Sequence, residues 1–363
     1  MTINLKKYFL SSFLVLQIFL YKILQHYPAL VEKHYSLKWV DNQGFYFREF
    51  FGQFGFSVGD FIYGILILWI LKWLIVSRKL WTVDWKNQLL LVINFLSIVY
   101  FLFHICWGLN YYRLPLSQKM NIKTDYTLQD LERSTANLIL ETNKIHFEIT
   151  KSVANKVVVT YSENQILQQG VLGYDKLSKM HPEFTQKNLS VKSSLFSKPL
   201  SYMGFGGYLN PFTIEAQVNI EIPKYCQPMT VSHEMAHQIG YANESECNFV
   251  GFLAANASPD LYCQYSANCF ALRYCLSVLK KENSAVLNAL KLEINTGILK
   301  NFDESDTFWK QHESFIETGF KVFYDQFLKS NNQKDGLNSY GKFLNLLINY
   351  QKQSAARKSK PVD

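Results

Sequence analysis

Apolar residues are concentrated in three runs near the start of the chain, which cover residues 8–24, 56–76 and 89–109. A helix needs about 20 mostly apolar residues to cross the hydrocarbon core of a bilayer, so each run is predicted to be a transmembrane helix. The first run is the shortest and contains Gln17. No small-residue cleavage site follows it, so we expect it to be retained rather than removed as a signal peptide.

Beyond the third run the pattern becomes amphipathic. Apolar residues recur with a helical period over residues 126–151 and 162–180, and again over 262–292 and 308–351. Between them, residues 200–222 alternate with a period of two and contain Gly and Asn-Pro, which predicts a hairpin or meander. The predicted fold is therefore mainly α with a small β-sheet (α+β).

These patterns divide the chain into three parts. Residues 1–110 are predicted to form a membrane anchor of three transmembrane helices, whose partner is the lipid bilayer. Residues 111–351 form the predicted α+β domain, and residues 352–363 a disordered basic tail.

The charges beside the apolar runs predict the orientation in the membrane. Lys6 and Lys7 precede the first run, and Arg78, Lys79 and Lys86 lie between the second and third. Cytoplasmic loops are enriched in Lys and Arg, so both segments are predicted to be cytoplasmic. Three spans then place the C-terminal domain outside the cytoplasm, which is the periplasm for a bacterial inner membrane.

The overall charge adds little to this picture. The formal net charge is +8, and part of it comes from Arg357, Lys358 and Lys360 in the tail. A short terminal run of this kind is typical of a solvated end rather than of a nucleic-acid interface. We therefore predict no nucleic-acid partner.

The segment with the clearest chemistry is Thr230–Ala254, which contains His-Glu-Met-Ala-His. His233 and His237 are four residues apart, so on a helix both imidazoles lie on one face, one turn apart. Zn²⁺ binds such nitrogens, and Glu234 can lie beside the metal as a base for the bound water. The spacing predicts one Zn²⁺ ion with Glu234 as the catalytic base.

A catalytic zinc site also needs a third protein ligand, for which Glu244 and Glu246 are the two candidates. On a second helix capped by Asn243, Glu244 shares a face with Asn248, which could bind the far nitrogen of a ligand histidine. Glu246 instead lies where it can complete a capping box with Asn243. We therefore favour Glu244 as the ligand, with Glu246 as the alternative.

These motifs resemble those of the gluzincin metallopeptidases, in which His-Glu-x-x-His precedes a Glu-x-x-x-Asp/Asn helix. Residues 244–252, Glu-Ser-Glu-Cys-Asn-Phe-Val-Gly-Phe, resemble the third-ligand helix of the membrane-bound peptidases related to the CAAX-processing and HtpX-type enzymes. The gap between His237 and Glu244 is shorter here than in those enzymes. The resemblance implies a zincin-like metallopeptidase domain.

The whole chain resembles a bacterial family that is catalogued only as a domain of unknown function. The shared features are the N-terminal spans, WGLNYYR at 107–113, HEMAHQIG at 233–240, ESECNF at 244–249 and YDQFLKSNNQKDGLNSYG at 324–341. Resemblance to such a family implies a fold and a metal site but does not indicate a substrate.

The gluzincin resemblance also implies a mechanism. Zinc-activated water would attack a peptide bond, with Glu234 as the general base. Residues 213–222 correspond to the edge strand that pairs with the substrate backbone in gluzincins. Tyr340, Tyr265 and Ser266 are candidate donors to the oxyanion.

Two functions therefore follow from the sequence. The first is a membrane-anchored zinc peptidase that cleaves peptides or envelope proteins. The alternative is a non-catalytic membrane protein with a structural or sensory zinc site that binds a partner protein. The presence of Glu234 favours the first, because a structural zinc site needs no base at this position.

Overall fold

The computed structural model describes residues 5–185, 187–333 and 342–358. Within these ranges the chain is mainly helical with one small sheet, as the sequence predicts. The first part contains α1 (Leu5–Leu24), α2 (Pro28–Val31), α3 (Asp41–Gly52), α4 (Val58–Ser77), α5 (Leu80–Val83) and α6 (Trp85–Cys106). A π-helical segment, Glu32–Val40, joins α2 to α3.

Of the helices in the described ranges, α1, α4 and α6 are the three that are long and apolar enough to cross a membrane. They match the three predicted spans, with ends that differ by a few residues. The third helix begins at Trp85 and ends at Cys106, three residues before its predicted end, because the backbone leaves the helix at Trp107. Their apolar side chains are largely exposed, as expected of helices surrounded by lipid.

Contacts along the bundle define how these helices run. Lys7 of α1 contacts Asn87 of α6, and Gln17 contacts Ser97, so α1 and α6 are parallel. The α4 helix joins α6 through the short segment 78–84 and therefore runs in the opposite direction. The C-terminal ends of α1 and α6 and the N-terminal end of α4 thus lie at one end of the bundle, called here the domain end.

The remaining helices form the C-terminal domain. Thr127 and Ser162 form capping boxes at the start of α8 and α9. The helices are α7 (Leu116–Lys119), α8 (Leu128–Thr150), α9 (Glu163–Met180), α10 (Ser197–Met203), α11 (Gln227–Gln238), α12 (Glu244–Ala257), α13 (Leu261–Glu282), α14 (Ser284–Leu292), α15 (Thr296–His312), α16 (Phe315–Ser330) and α17 (Phe343–Lys358). The domain boundary predicted near residue 110 stays a prediction.

The hydrophobic core of this domain surrounds α11 and α12. Both helices pack against α9 and α13, and α8 closes the other side of α13. Val231 and Met235 of α11 meet Phe249 and Val250 of α12 in this core, and all four side chains are fully or almost fully buried. Apolar packing therefore holds these two helices side by side.

In the described part of the chain, β1 (Val191–Ser193), β2 (Gly207–Asn210) and β3 (Glu215–Val218) form one sheet in the order β1-β3-β2. β1 pairs with β3 in parallel and β2 pairs with β3 antiparallel. The hairpin predicted over 200–222 is thus wrong in its first part, which belongs to α10. Gly204, with a φ of +80°, ends that helix, and Asn219 donates a hydrogen bond to the hydroxyl of Ser201 within it.

A buried carboxylate joins this sheet to the membrane helices. Glu215 of β3 is 1% exposed and accepts hydrogen bonds from the backbone N–H of Gly59 at 2.6 Å and from Lys192 of β1 at 2.6 Å. Nearby, Asp60 of α4 accepts a hydrogen bond from the backbone of Leu195 at 2.7 Å. The first turn of α4 is therefore attached to the sheet at the domain end.

The last helix includes residues 352–358 of the segment 352–363 that the sequence predicts to be a disordered tail. α17 continues to Lys358, because Lys352 pairs with Asp130 and Gln353 donates a hydrogen bond to the backbone of Asn121. Residues 359–363 lie outside the described ranges.

Candidate metal centre

The helix α11 carries the His-Glu-Met-Ala-His motif, as predicted. It begins at Gln227, with Pro228 in its first turn, and its last turn passes into Gly240. Gly240 has a φ of +89°, a left-handed conformation that glycine adopts without strain, and its N–H donates to the carbonyl of His237. The chain therefore turns immediately after His237, so the next helix can pack back against α11.

That next helix, α12, is capped by Asn243, whose side chain accepts hydrogen bonds from Ser245 N and Glu246 N. It crosses α11 very closely at Gly251, where a β-carbon would lie 2.9 Å from the backbone nitrogen of His233. Only glycine permits this approach without moving one of the helices. The close crossing brings the first turn of α12, with Glu244, beside the two histidines.

Three side chains meet at one point between these helices. His233 Nε2 lies 3.3 Å from Glu244 Oε2, and His237 Nε2 lies 3.7 Å from Glu244 Oε1. Two ligand atoms that each lie about 2.1 Å from a tetrahedral zinc ion are about 3.4 Å apart. The histidine side chains remain 15% and 10% exposed, so the two imidazoles are not fully closed off from solvent. The donor set and its spacing fit one Zn²⁺ ion.

The charges around this point favour a cation. Burial opposes ionisation of Glu244, but attraction to His237 and hydrogen bonds from both imidazoles hold the pKa of its carboxyl well below its usual range. Its carboxylate is therefore ionised. In a metal-bound site the cation would replace the positive charge that a protonated imidazole otherwise supplies.

Glu234 lies beside this point. Ligand atoms of His233, Glu234 and His237 all fall within 4.8 Å of one another. Burial raises the pKa of the Glu234 carboxyl to about 7, against the attraction of the two histidines, and a bound cation would lower it again. No group in the described ranges hydrogen-bonds Glu234 Oε2. This buried oxygen can therefore accept a proton.

The imidazole of His237 is oriented by the backbone. Its Nδ1–H donates to the carbonyl of Tyr241 at 2.8 Å, which directs Nε2 towards Glu244. A metal ion would displace the proton that Nε2 shares with Glu244 and bind the nitrogen lone pair. The sequence predicts Asn248 as the partner of the far nitrogen of a ligand histidine. For His237 that partner is the carbonyl of Tyr241, so the prediction is wrong for this histidine. Asn248 is buried one turn after Glu244 and lies beside Tyr274. Burial raises the pKa of the Cys247 thiol to about 12, so this neighbour of His237 is a neutral thiol.

Residues that follow the third span contact the centre directly. Trp107 donates its indole N–H to the carbonyl of His237 at 3.0 Å. Arg113 donates to the carbonyl of Gly240 at 2.7 Å and forms a buried ion pair with Glu32. The aromatic residues of WGLNYYR suit a membrane interface by composition, but Trp107 and Tyr112 are buried in the protein. The centre therefore lies next to the end of α6.

Glu246, the alternative ligand, points away from this centre. Its carboxylate accepts a hydrogen bond from the backbone N–H of Leu116 at 2.6 Å, at the start of α7. Burial raises the pKa of its carboxyl to about 7, against that hydrogen bond and the nearby charge of Arg113. Glu246 thus has a structural role, although the partner is Leu116 rather than the cap predicted from sequence.

Two of the three candidate oxyanion donors, Tyr265 and Ser266, are not brought to the centre. Tyr265 is buried in the core, where its hydroxyl donates to Asn301 at 2.8 Å. Ser266 accepts a hydrogen bond from the backbone N–H of Met229, near the start of α11. Tyr340 lies outside the described residues.

The strand next to the centre also differs from the prediction. Residues 213–222 contain β3, which is the central strand and has no free edge. The edge strand at this position is β2, since a β-carbon placed on its Gly207 would lie 2.7 Å from Glu234 Oε1. β2 therefore lies directly beside Glu234.

Two tyrosines near Glu244 were not identified from the sequence. The hydroxyl of Tyr324, on α16, donates to Glu244 Oε1 at 2.5 Å. Tyr111 is partly buried, and desolvation of its hydroxyl together with the charge of Glu244 raises its pKa well above the usual value, so it remains a neutral phenol. Both residues belong to segments that carry the family resemblance, WGLNYYR and YDQFLKSNNQKDGLNSYG. This membership is the one sequence feature that points to the two tyrosines.

We expect Tyr324→Phe to weaken zinc binding by about 10-fold, because loss of a hydrogen bond to a metal-binding carboxylate typically costs 10–100-fold in affinity. Zinc titration against a chelator of known affinity measures the change. Tyr265→Phe is the matched control, since it removes a buried hydroxyl that contacts Asn301 instead. Equal zinc affinities for Tyr324→Phe and wild type would show that this contact does not support a ligand.

The fold and the centre together describe a membrane-associated, mainly helical protein with a buried His–Glu–His group. The model of the family DUF3810, described as a protein of unknown function, matches residues 35–348, so the chain belongs to this family. No curated protein and no solved structure matches the chain.

Proposed function

We propose that this protein is a membrane-anchored zinc-dependent peptidase. The observation that carries the proposal is the convergence of His233, His237 and Glu244 at ligand-to-ligand distances beside the buried carboxylate of Glu234. A small sheet next to the motif helix, with a third ligand on the following helix, supports a zincin-like arrangement of the domain.

Each residue of the centre has a role in this proposal. His233, His237 and Glu244 would hold one Zn²⁺ ion. When bound, this ion would polarise the carbonyl of the peptide bond and lower the pKa of a water molecule. Glu234 takes a proton from the attacking water and passes it to the leaving amine. Tyr324 orients the Glu244 carboxylate through its hydrogen bond.

The surroundings of the centre support a peptide as the substrate. The edge of β2 offers backbone donors and acceptors to an extended chain beside Glu234, a mode that recognises the main chain more than the side chains. Trp107 places the centre next to the end of α6, which favours substrates close to the membrane surface. With the positively charged loops in the cytoplasm, these substrates are peptides or envelope proteins of the periplasm.

Removal of the metal tests the proposal. Full-length protein in lipid nanodiscs is expected to contain one zinc per chain and to cleave peptides from a mixed-sequence library. Chelation should abolish cleavage, and added zinc should restore it. A zinc-loaded protein that cleaves no peptide in this library would contradict the peptidase assignment, and a protein that binds no zinc would contradict the metal centre itself.

A further inference from the structure

The helix α16, which carries Tyr324, has an exposed apolar side that the peptidase proposal does not explain. Its inner face packs against the domain through Tyr324, Phe327 and Leu328, with Tyr324 against Phe205 and Leu328 fully buried. Buried packing therefore uses one side of the helix.

A second set of apolar residues on α16 is not covered by any described part of the chain. Phe315 is 87% exposed, Phe323 64%, Val322 62% and Ile316 40%. Successive residues of a helix are about 100° apart, so Ile316 and Phe323 lie on one flank and Phe315 and Val322 continue it around the outer side. The opposite flank carries charged residues, among them Lys321 and Asp325. Exposed apolar surface of this extent marks an interaction site.

The apolar flank turns towards the membrane side of the protein. Phe327 lies one turn after Phe323, and its ring packs on Phe103 of α6 with centroids 5.9 Å apart. Phe103 lies three residues before the end of the transmembrane helix, which is about 4.5 Å along the helix axis. Leu102 beside it is 42% exposed on the lipid-facing surface of the bundle. The flank of α16 is therefore continuous with the surface of α6 that lipid covers.

The neighbouring domain surface has the same character. Leu195, whose backbone N–H is bonded to Asp60 in the first turn of α4, is 59% exposed. Two separate segments of the domain thus present apolar side chains at the level where the spans end. Leu195 and the apolar flank of α16 both lie next to the domain end of the bundle, so one bilayer surface can cover both segments.

We infer that α16 is an interfacial helix whose flank formed by Ile316, Phe323, Phe315 and Val322 inserts into the outer boundary of the same bilayer that the spans cross. Helices of this kind place their apolar side about 5–10 Å into the region between headgroups and acyl chains, with the charged side towards water. Lys321 lies on the charged flank of α16, where it forms an ion pair with Glu317 one turn earlier.

The lipid contact of α16 is linked to the metal centre through Tyr324. The contact itself does not depend on zinc binding or on hydrolysis. The same helix that rests on the lipid donates the Tyr324 hydroxyl to Glu244. The membrane surface thus holds in place a helix that contributes a hydrogen bond to the centre.

Depth-dependent fluorescence quenching tests the inference. Phe323→Trp and Lys321→Trp place an added indole on the apolar and charged flanks, at side chains that are both largely exposed. Full-length variants are reconstituted in nanodiscs with lipids brominated near the glycerol backbone, and the wild-type signal from the seven native tryptophans is subtracted. We expect loss of the added fluorescence for Phe323→Trp and its retention for Lys321→Trp.

Acrylamide quenching in ordinary lipids distinguishes the other outcomes. An added indole at position 323 that acrylamide reaches, with no quenching by brominated lipid, would show that the flank lies in water and would overturn the inference. Protection from both quenchers would show that a protein surface, such as a second copy of the chain, covers it, and would equally overturn the inference. Equal quenching of both variants by brominated lipid would show that α16 does not have one lipid-facing and one water-facing flank, and would also overturn the inference.

Discussion

The Glu234→Gln variant is expected to retain its zinc and to lose peptide hydrolysis by about 10²–10⁴-fold, the usual contribution of a positioned general base. Glutamine has the shape of glutamate but cannot take a proton from water. The three proposed ligands are unchanged, so the metal should stay. Initial rates on a cleaved library peptide, together with the zinc content of the same preparation, measure both parts of the prediction.

Glu246→Gln is the matched control for this experiment. It makes the same chemical change at a partly buried glutamate whose pKa is also about 7 and whose carboxylate contacts Leu116 instead of the centre. Its hydrolysis rate should stay close to that of wild type. Unchanged hydrolysis in Glu234→Gln would instead contradict the role of Glu234 as general base and favour a structural or sensory zinc site.

The second large effect is expected from Glu244→Ala, which should abolish stoichiometric zinc binding. It removes a carboxylate that reaches both imidazoles, whereas loss of an outer contact costs only about 10–100-fold in affinity. Glu246→Ala should keep the zinc and lower the free energy of unfolding by about 1–3 kcal/mol, because a buried backbone N–H loses its acceptor.

Metal analysis and thermal unfolding of the two variants separate these effects. Zinc retained in Glu244→Ala and lost in Glu246→Ala would reverse the ligand assignment. Loss of zinc in both variants, with wild-type stability, would mean that the two carboxylates share the ion.

The parts of the structure that the sequence predicts depend on neighbours along the chain. The spacing of His233 and His237, the turn at Gly240 and the cap at Asn243 are all properties of a few consecutive residues. A helical period or a capping pattern records such contacts directly. For the same reason the sequence predicts the three apolar helices, whose length and composition suffice.

The features that the sequence does not reveal depend on distant contacts. Tyr324 lies 80 residues from Glu244, and Trp107 lies 130 residues from His237, so no local period brings them together. α10 was predicted as strand because its alternation is local, whereas Asn219 bonds Ser201 within the folded domain. The role of Glu246 required knowledge of Leu116, which the capping pattern cannot supply.

The hydrogen bond from Trp107 to His237 has a consequence for substrate selection. Because it holds the proposed metal centre near the end of the third helix, a target tethered in the same bilayer would diffuse in two dimensions past the centre at a constant height. Confinement of this kind raises the effective concentration of the target far above its average in the compartment. A peptidase of the kind proposed would select its targets by their distance from the lipid and would need little affinity for any particular sequence.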